Sequence, residues 1–440
     1  MGEPLGDPLA YVRAVHFAAT LAAAGTVIFV IIVAMPGFAD AQLPAGDTER
    51  LRRCWIGLVW TSLAVAAASG AIWLVLLAGE IYAAPLAEVW RDGGIWTVAT
   101  ATRFGEVSLA RLAAAVLLAA ALPAVDRSAA SAPWRSGAVG LAVGLAILLL
   151  IGPAWTGHAG ATPGVAGEFP LASDALHLLA AGAWLGGLPP LATLLAAALA
   201  QKEPRWAAAT ASAMRRFSVL GIISVGTLLA SGIVNSWYEI GTFNNLFTTS
   251  YGQLVLIKIA LFAAMVALAS VNRFYLTPRL ASAGAVRRLW QTCLAETGLG
   301  FAAVVVVGFL GAMAPASHLH GHPASGLVPE GAAFIHIHSN AGMADVTIMP
   351  GRVGAAQATI RLWNDEFEPL AARRLMLTLT PPGQAAKPLT RSAAKDQDGS
   401  WTVDALALSQ AGNWTVTIDA ELASKRRLLL DAPIAIEPER

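Results

Sequence analysis

Residues Asp174-Ala-Leu-His-Leu-Leu-Ala-Ala-Gly-Ala-Trp-Leu-Gly-Gly-Leu188 place one titratable imidazole, that of His177, inside an otherwise apolar run. At membrane depth a polar side chain is costly unless it is paired, hydrated or bound to a ligand. The histidine therefore indicates either a functional site or a hydrogen bond to a neighbouring helix. Both interpretations assume that the protein spans a membrane, and the composition of the whole chain indicates this.

The composition is that of an integral membrane protein. Of 440 residues, 56% are hydrophobic and only 13% are charged, which is too apolar for a soluble domain. A net charge of +1 without a Lys/Arg-rich tract argues against nucleic acid, because phosphates require a concentrated basic surface. The sequence contains no Gly-x4-Gly-Lys-Ser/Thr loop, so ATP is not expected as a partner.

Eight apolar runs are each long enough for a membrane-spanning helix, which needs about 20 residues. They lie at about 11–35, 55–79, 107–125, 134–152, 174–199, 213–234, 251–271 and 289–314. Most Lys and Arg residues of the connecting loops follow spans 1, 3, 5 and 7. The positive-inside rule therefore predicts that these loops are cytoplasmic and that both termini are extracytoplasmic.

The spans also show an internal repeat. The matched segments keep their chain order and are Thr102–Arg111 with Thr249–Lys258, Ser69-Gly70 with Ser231-Gly232, and Val15-His16-Phe17 with Leu176-His177-Leu178. We predict two four-helix halves, approximately 1–160 and 161–315, in the same orientation and related by a pseudo-two-fold axis along the membrane normal. Chance similarity between short apolar helices is the alternative.

From about residue 328 the pattern changes to short alternating or β-branched runs bounded by turn residues. These runs are 334–338, 344–349, 358–363, 375–380, 401–403, 414–419, 428–430 and 434–436. The predicted fold is thus an all-α polytopic membrane bundle of eight transmembrane helices (1–315), a His-rich linker (316–327) and a small all-β, Ig-like sandwich (328–440). Because the sandwich follows an even number of spans, we expect it to be extracytoplasmic.

All eight histidines fall outside the membrane or in its outer half on this topology. Imidazoles gathered on one side suit the capture of a borderline transition metal from that side. The candidate metal ligands are His16, His158 and His177 at outer span ends; His318, His320 and His322 in the linker, with Met313 before them; and His336 and His338 on one strand face, with Met343 and Met349 downstream. A solvated linker and an exposed strand face are the alternatives for the last two groups.

Four charged residues in or near the spans are candidates for gating or electrostatic roles. Arg111 and Lys258 are related by the repeat and either extend to the interface or have a functional role, in which they pair with Glu106 or fix the gate electrostatically. Glu296 in span 8 is expected either to accept a cation or proton or to pair with a buried donor. Cys54 and Cys293 are too few for a disulfide framework and are interpreted as small apolar residues.

Several motifs occur in the order and spacing of a known family. They are Trp155-Thr-Gly-His158-Ala, Leu176–Leu188, Arg216-Phe-Ser218, Ser231-Gly232, Tyr251-Gly252 followed by Lys258, and Asn272-Arg273. With these motifs the chain resembles the copper resistance D (CopD-type) family of bacterial inner-membrane proteins, strongly over spans 5 to 8 and more loosely over spans 1 to 4. The tail is similar to small β-sandwich domains that accompany some members.

The resemblance implies a multi-pass protein of the bacterial inner membrane that handles copper, as Cu(I) or Cu(II), and is not an enzyme. It implies inward movement of copper from the periplasm, for tolerance or for supply to copper enzymes. Only about ten residues precede span 1, so a separate periplasmic copper donor is expected.

Three functional hypotheses follow from the sequence. The first is a copper transporter in which the sandwich and linker collect the ion and His16, His158 and His177 receive it. The second is a membrane haem protein with His16 and His177 as axial ligands of haem b. The third is an assembly factor that hands copper to a partner without moving it across the bilayer.

Overall fold

A computed structural model of the chain describes residues 7–82, 84–129, 137–157, 165–201, 203–280, 282–313, 329, 331–339, 342–364, 369–382, 388–396, 398–422 and 427–438. Two compact units make up the chain, Met1–Ser317 and His318–Arg440. The first is helical and the second consists of β-strands.

Within the described residues, the first unit has eight helices that are long and apolar enough to cross a membrane. Spans 1 to 8 are Pro8–Asp40, Ala45–Tyr82, Arg103–Pro123, Gly137–Thr156, Glu168–Ala200, Pro204–Ile240, Ser250–Arg279 and Gly284–Leu310. The predicted number of spans is confirmed, and the chain is a multi-pass membrane protein.

Several spans are longer than the apolar runs that predict them. Span 2 begins at Ala45 rather than near residue 55, and span 6 begins at Pro204 rather than near residue 213. Hydropathy detects only the part of a helix that suits hydrocarbon, whereas the helix continues until a cap or a breaker ends it. Span 6 has Pro204 in its first turn and ends before Gly241, whose φ of 72° favours glycine.

Irregular segments interrupt three spans, and none was predicted. Span 1 contains a π-helical segment, Val30–Ala34, and span 7 contains another, Asn272–Leu276, followed by a 3₁₀ turn. Span 5 breaks between Leu185 and Leu188 at two glycines. Short helices precede spans 3 and 7, at Leu86–Arg91, Gly94–Ala101 and Asn245–Thr248.

Spans 1 and 5 cross in backbone contact. A Cβ on Gly25 would overlap the carbonyl oxygen of Gly182 and the Cα of Gly186, so only glycine fits there. Gly25 and Gly186 have the same separation along the chain as His16 and His177. Contact between two such equivalent residues is consistent with a two-fold axis between the halves, which stays a prediction.

The C-terminal unit is a sandwich of two antiparallel sheets, as predicted. Its strands are β1 Ala333–Ser339, β2 Gly342–Met349, β3 Gly354–Trp363, β4 Ala372–Thr380, β5 Leu389–Ser392, β6 Ala394–Lys395, β7 Trp401–Leu408, β8 Gly412–Leu422 and β9 Arg427–Ile436. The sheet orders are β1-β2-β3-β7-β6 and β5-β4-β8-β9. Inward residues such as Val346, Ile360, Leu377 and Val416 are fully buried between the sheets.

Two details of the sandwich differ from the sequence prediction. The runs 428–430 and 434–436 form one continuous strand, β9, because Pro433 at this sheet edge does not interrupt the pairing with β8. Strands β5 and β6 were not predicted because they are short and largely polar.

Candidate functional site

His177 lies in span 5, in the helix Val165–Leu185, and is bonded to span 6. Its Nδ1 is 2.9 Å from the Ser231 hydroxyl oxygen. The Ser231 hydroxyl in turn donates to the carbonyl of Thr227, one turn earlier on its own helix, at 2.6 Å. The imidazole is therefore held by a hydrogen-bonded chain that ends on a backbone carbonyl.

His16 has a corresponding environment in the other half. Its Nδ1 is 3.0 Å from the carbonyl oxygen of Ala66 and 3.3 Å from the hydroxyl oxygen of Ser69, both in span 2. The Ser69 hydroxyl donates to the carbonyl of Val65 at 2.7 Å. The ring packs edge-on against Trp73, with centroids 5.6 Å apart, and the residue is only 7% exposed.

The serine contacts of the two histidines use equivalent residues. The Ser69 hydroxyl donates to the carbonyl of Val65, and the Ser231 hydroxyl donates to the carbonyl of Thr227. The two serines have the same separation along the chain as the two acceptor residues. The sequence indicated the matching His and Ser pairs, but it did not predict that each His contacts its Ser. The same contacts between equivalent residues give the repeat a structural basis.

The repeat-related cations lie near the two imidazoles. Arg111 is 9% exposed and donates to the carbonyl of Leu149 at 3.3 Å and to the hydroxyl of Thr20 at 3.3 Å. Thr20 is one turn after His16 and donates to its carbonyl. Lys258 is half-buried and lies within electrostatic range of Asp174 and His177.

The residues beside the second histidine are acidic and polar. Asp174 accepts from the amide of Asn235 at 3.4 Å, and the Ser173 hydroxyl donates to Asn235 Oδ1 at 2.8 Å. Tyr251 donates to the carboxylate of Glu239 at 2.9 Å. Sequence reasoning missed these residues because polar residues near span ends are also typical of loops.

The equivalent positions beside His16 carry positive charge and aromatic rings. Arg13, Trp73 and Phe104 are the equivalents of Asp174, Asn235 and Tyr251. The Arg13 guanidinium carbon is 5.3 Å from the Trp73 ring centroid, and the Trp73 and Phe104 centroids are 5.0 Å apart. A cation–π contact thus takes the place of the carboxylate–amide hydrogen bond.

The remaining charged candidates lie apart from the histidines. Glu106 is exposed. Glu296 in span 8 is 2% exposed and accepts from the side-chain amide of Asn272, whose oxygen accepts from Thr292. Glu296 thus has a buried donor, as one of its two sequence interpretations requires.

In the C-terminal unit, His336 is bonded to a buried carboxylate. Its Nδ1 is 2.7 Å from Asp345 Oδ1, and the Trp363 indole donates to Asp345 Oδ2 at 2.9 Å. Asp345 is 3% exposed, whereas the His336 side chain is 25% exposed. Met343 is fully buried and lies opposite His338 in the β1–β2 register.

Other predicted ligands are not described by the structure or lie elsewhere. His158, His318, His320 and His322 fall outside the described residues. Met313 packs at the end of span 8 against a cluster that includes Leu310. In the part of the chain that the structure describes, no group of three or more His, Cys, Asp or Glu residues has a geometry that could hold a metal ion.

Two protein-family models match the chain. The model of the copper resistance protein D-like N-terminal domain matches residues 4–168, and the model of copper resistance protein D matches residues 211–310. Together the two matches cover more than half of the chain and include residues of both histidine environments.

Three curated proteins are similar to the chain. Copper transport protein CutJ of Bacillus subtilis (strain 168) is 27% identical over 284 residues, covering 61% of this chain and 47% of that protein. Inner membrane protein YebZ of Escherichia coli (strain K12) is 34% identical over 165 residues, covering 37% of this chain and 55% of that protein. Copper resistance protein D of Pseudomonas syringae pv. tomato is 31% identical over 187 residues, covering 40% of this chain and 58% of that protein. The chain thus spans about half the length of these relatives.

Proposed function

We propose that this chain, which belongs to the copper resistance protein D family, binds copper at the ends of spans 1 and 5 where His16 and His177 lie and moves it across the membrane. Membership confirms the resemblance inferred from the sequence motifs, and it supports copper handling. The observation that carries the proposed site is the pair of equivalent histidines, each bonded to a serine of its own half.

The residue types at this site suit copper. Imidazole nitrogen binds both Cu(I) and Cu(II). An imidazole inside a membrane is costly, and binding of an ion offsets that cost. The histidines lie nine residues from the glycine contact between spans 1 and 5. At about 1.5 Å per helical residue, both are about 13 Å along their helices from the crossing point. Equal depth on neighbouring spans is the arrangement expected for ligands at the boundary between two repeats.

The direction of transport in this proposal is inward. The positive-inside rule predicts that the basic loops after the odd-numbered spans are cytoplasmic, and spans 1 and 5 would then begin on the periplasmic side of a bacterial inner membrane. One relative carries the name inner membrane protein. Copper then comes from a periplasmic donor protein, reaches the sandwich (328–440) and the linker (316–327), and passes to His16, His158 and His177.

The ion then crosses between the two halves, 1–160 and 161–315, under the influence of repeat-related charges. Arg111 is buried between spans 1, 3 and 4 and fixes their contact. Lys258 and Glu296 occupy spans 7 and 8. With no ATP-binding loop in the sequence, the driving force is a gradient or a partner protein.

Copper uptake into proteoliposomes tests the proposal. His177→Ala and His16→Ala should each reduce the initial rate of copper uptake, and the double variant should lose less than the two single losses combined if the ligands share one ion. Ser224→Ala is the control, because Ser224 is buried in span 6 but lies seven residues from the serine that contacts His177. Uptake by the double variant at the wild-type rate contradicts the site.

The same preparations separate the alternative functions. A purified protein that shows a Soret band lost in the double variant is a haem protein with these histidines as axial ligands. A protein that binds copper and transfers it to an acceptor, yet leaves the vesicle lumen free of copper, is an assembly factor.

A further inference from the structure

The hydrogen bonds of His177 determine which of its ring nitrogens carries the proton. The Ser231 hydroxyl hydrogen points to the carbonyl of Thr227, which can only accept. The Ser231 oxygen must therefore accept from the imidazole, 2.9 Å away, and the donor is the Nδ1–H of His177. In a neutral ring the other nitrogen, Nε2, then carries the lone pair.

His16 has the same tautomer for a partly different reason. Its Nδ1 lies 3.0 Å from the carbonyl oxygen of Ala66, which again can only accept. Its Nε2 is buried and has no hydrogen-bond partner among the described residues, and the whole residue is 7% exposed. A buried acceptor without a partner is uncommon in a folded protein and points to a ligand for this nitrogen.

We propose that Ser231 is a positioning residue that holds His177 in the tautomer whose Nε2 can bind copper, and that the Ala66 carbonyl, assisted by Ser69, does the same for His16. This proposal rests on the proposed function, in which the two imidazoles bind copper. A copper ion needs the nitrogen that carries the lone pair, and a hydrogen bond from the other nitrogen fixes the ring orientation. The recurrence of the arrangement in both halves indicates a retained requirement.

The two halves differ in how the ring is held, and this difference makes the proposal specific. When Ser69 is replaced by alanine, the Ala66 carbonyl still accepts from His16 Nδ1. When Ser231 is replaced by alanine, His177 Nδ1 loses the partner that the structure gives it. We therefore expect Ser231→Ala to release its histidine and Ser69→Ala to have a much smaller effect.

The full-length protein also offers matched controls. Ser62 and Ser224 are buried serines in spans 2 and 6, each seven residues before the serine that contacts a histidine. They are therefore equivalent to each other in the repeat, as Ser69 and Ser231 are. Ser62→Ala and Ser224→Ala remove the same hydroxyl group from the same helices without touching either imidazole.

The experiment combines two measurements on purified full-length protein. Nitrogen-15 NMR of histidine-labelled protein reports the tautomer without copper, and competition with a chelator of known affinity reports copper binding. We expect Ser231→Ala to lose the fixed tautomer and to weaken copper binding by about 10- to 100-fold. Ser231→Thr, which keeps the hydroxyl, should restore both properties, and the two control variants should match the wild type.

Three results would overturn the proposal. The first is a wild-type tautomer in Ser231→Ala. The second is a weakening of copper binding in Ser224→Ala equal to that in Ser231→Ala, since this would indicate a general effect on span 6. The third is a lost tautomer with unchanged copper affinity, which would also remove His177 from the proposed copper site. Because the tautomer is measured without copper, failure of positioning is distinguishable from failure of the copper function.

Discussion

Replacing Gly25 with alanine should destabilise the membrane unit even though alanine favours a helix. Gly25 lies within the helix Pro8–Phe29, where Gly→Ala alone contributes about 0.5–1 kcal/mol of stability. Its Cβ, however, would overlap backbone atoms of Gly182 and Gly186, which cannot rotate away as a side chain can. Overpacking of this kind costs about 1–3 kcal/mol, so we expect a net loss of stability of up to about 2.5 kcal/mol.

Gly226→Ala is the matched control for Gly25→Ala. Gly226 is also inside a spanning helix, but nothing lies within 4 Å of the Cβ position. Helix propensity alone then applies, and Gly226→Ala should be neutral or slightly stabilising. The two substitutions are chemically identical and are expected to change stability in opposite directions.

Thermal unfolding in detergent measures both variants, followed by copper uptake of the folded protein. Separation of spans 1 and 5 should also move the two histidines relative to each other and slow uptake in Gly25→Ala. A Gly25→Ala protein as stable as Gly226→Ala would refute the close crossing of these spans. It would also remove the structural argument for an axis between the two halves.

Two further predictions concern charge. Asp174→Asn should raise the copper concentration for half-maximal uptake more than it lowers the maximal rate, because Lys258 loses a nearby carboxylate. Asp92→Asn is the same change at an exposed position and is the control that should leave uptake unchanged. In the sandwich, the hydrogen bond from Arg427 lowers the pKa of Asp419, so its stabilising effect is present above the usual carboxyl pKa of about 4 and is lost as the pH falls through the lowered value. Hydrogen exchange in β8 and β9 of Asp419→Asn should therefore differ from wild type at pH 6, and the difference should shrink as the pH falls below about 4.

The sequence predicted the class of the fold because hydrophobic length is a strong signal for a spanning helix. It predicted the ends of the spans poorly, since a helix such as Ala45–Tyr82 continues through charged residues outside the hydrocarbon. Most core strands were found by their alternation, whereas β5 and β6 have too few residues for a period to be detected.

For the candidate site, the sequence identified residue pairs but not contacts. His16, His177, Ser69 and Ser231 were found as matching positions, yet nothing in an apolar helix indicates its rotation about its own axis. Asp174 stood in the stretch that drew attention to His177, and the offset between the two histidines already placed it opposite Arg13. That reversal of charge between the halves was available in the sequence, but only the structure showed that Arg13 packs on Trp73 whereas Asp174 accepts a hydrogen bond from Asn235.

The reversal of charge argues that the two halves do not serve copper equally. Near His16 lie Arg111 and Arg13, with Asp7 and Glu80 within electrostatic range of Arg13. Near His177 lies Lys258, and Asp174, three residues before His177, is within electrostatic range of Lys258 and Glu239. At an effective dielectric constant of about 20, two unit charges about 4 Å apart interact with an energy of about 4 kcal/mol, and this energy is inversely proportional to their distance. Two cations and two carboxylates near His16 sum to zero, whereas one cation and two carboxylates near His177 sum to −1. The electrostatic energy of a bound cation, although reduced by distance and solvent, is therefore lower beside His177. Copper should therefore interact more strongly with His177 than with His16, and His177→Ala should reduce the initial rate of copper uptake more than His16→Ala does.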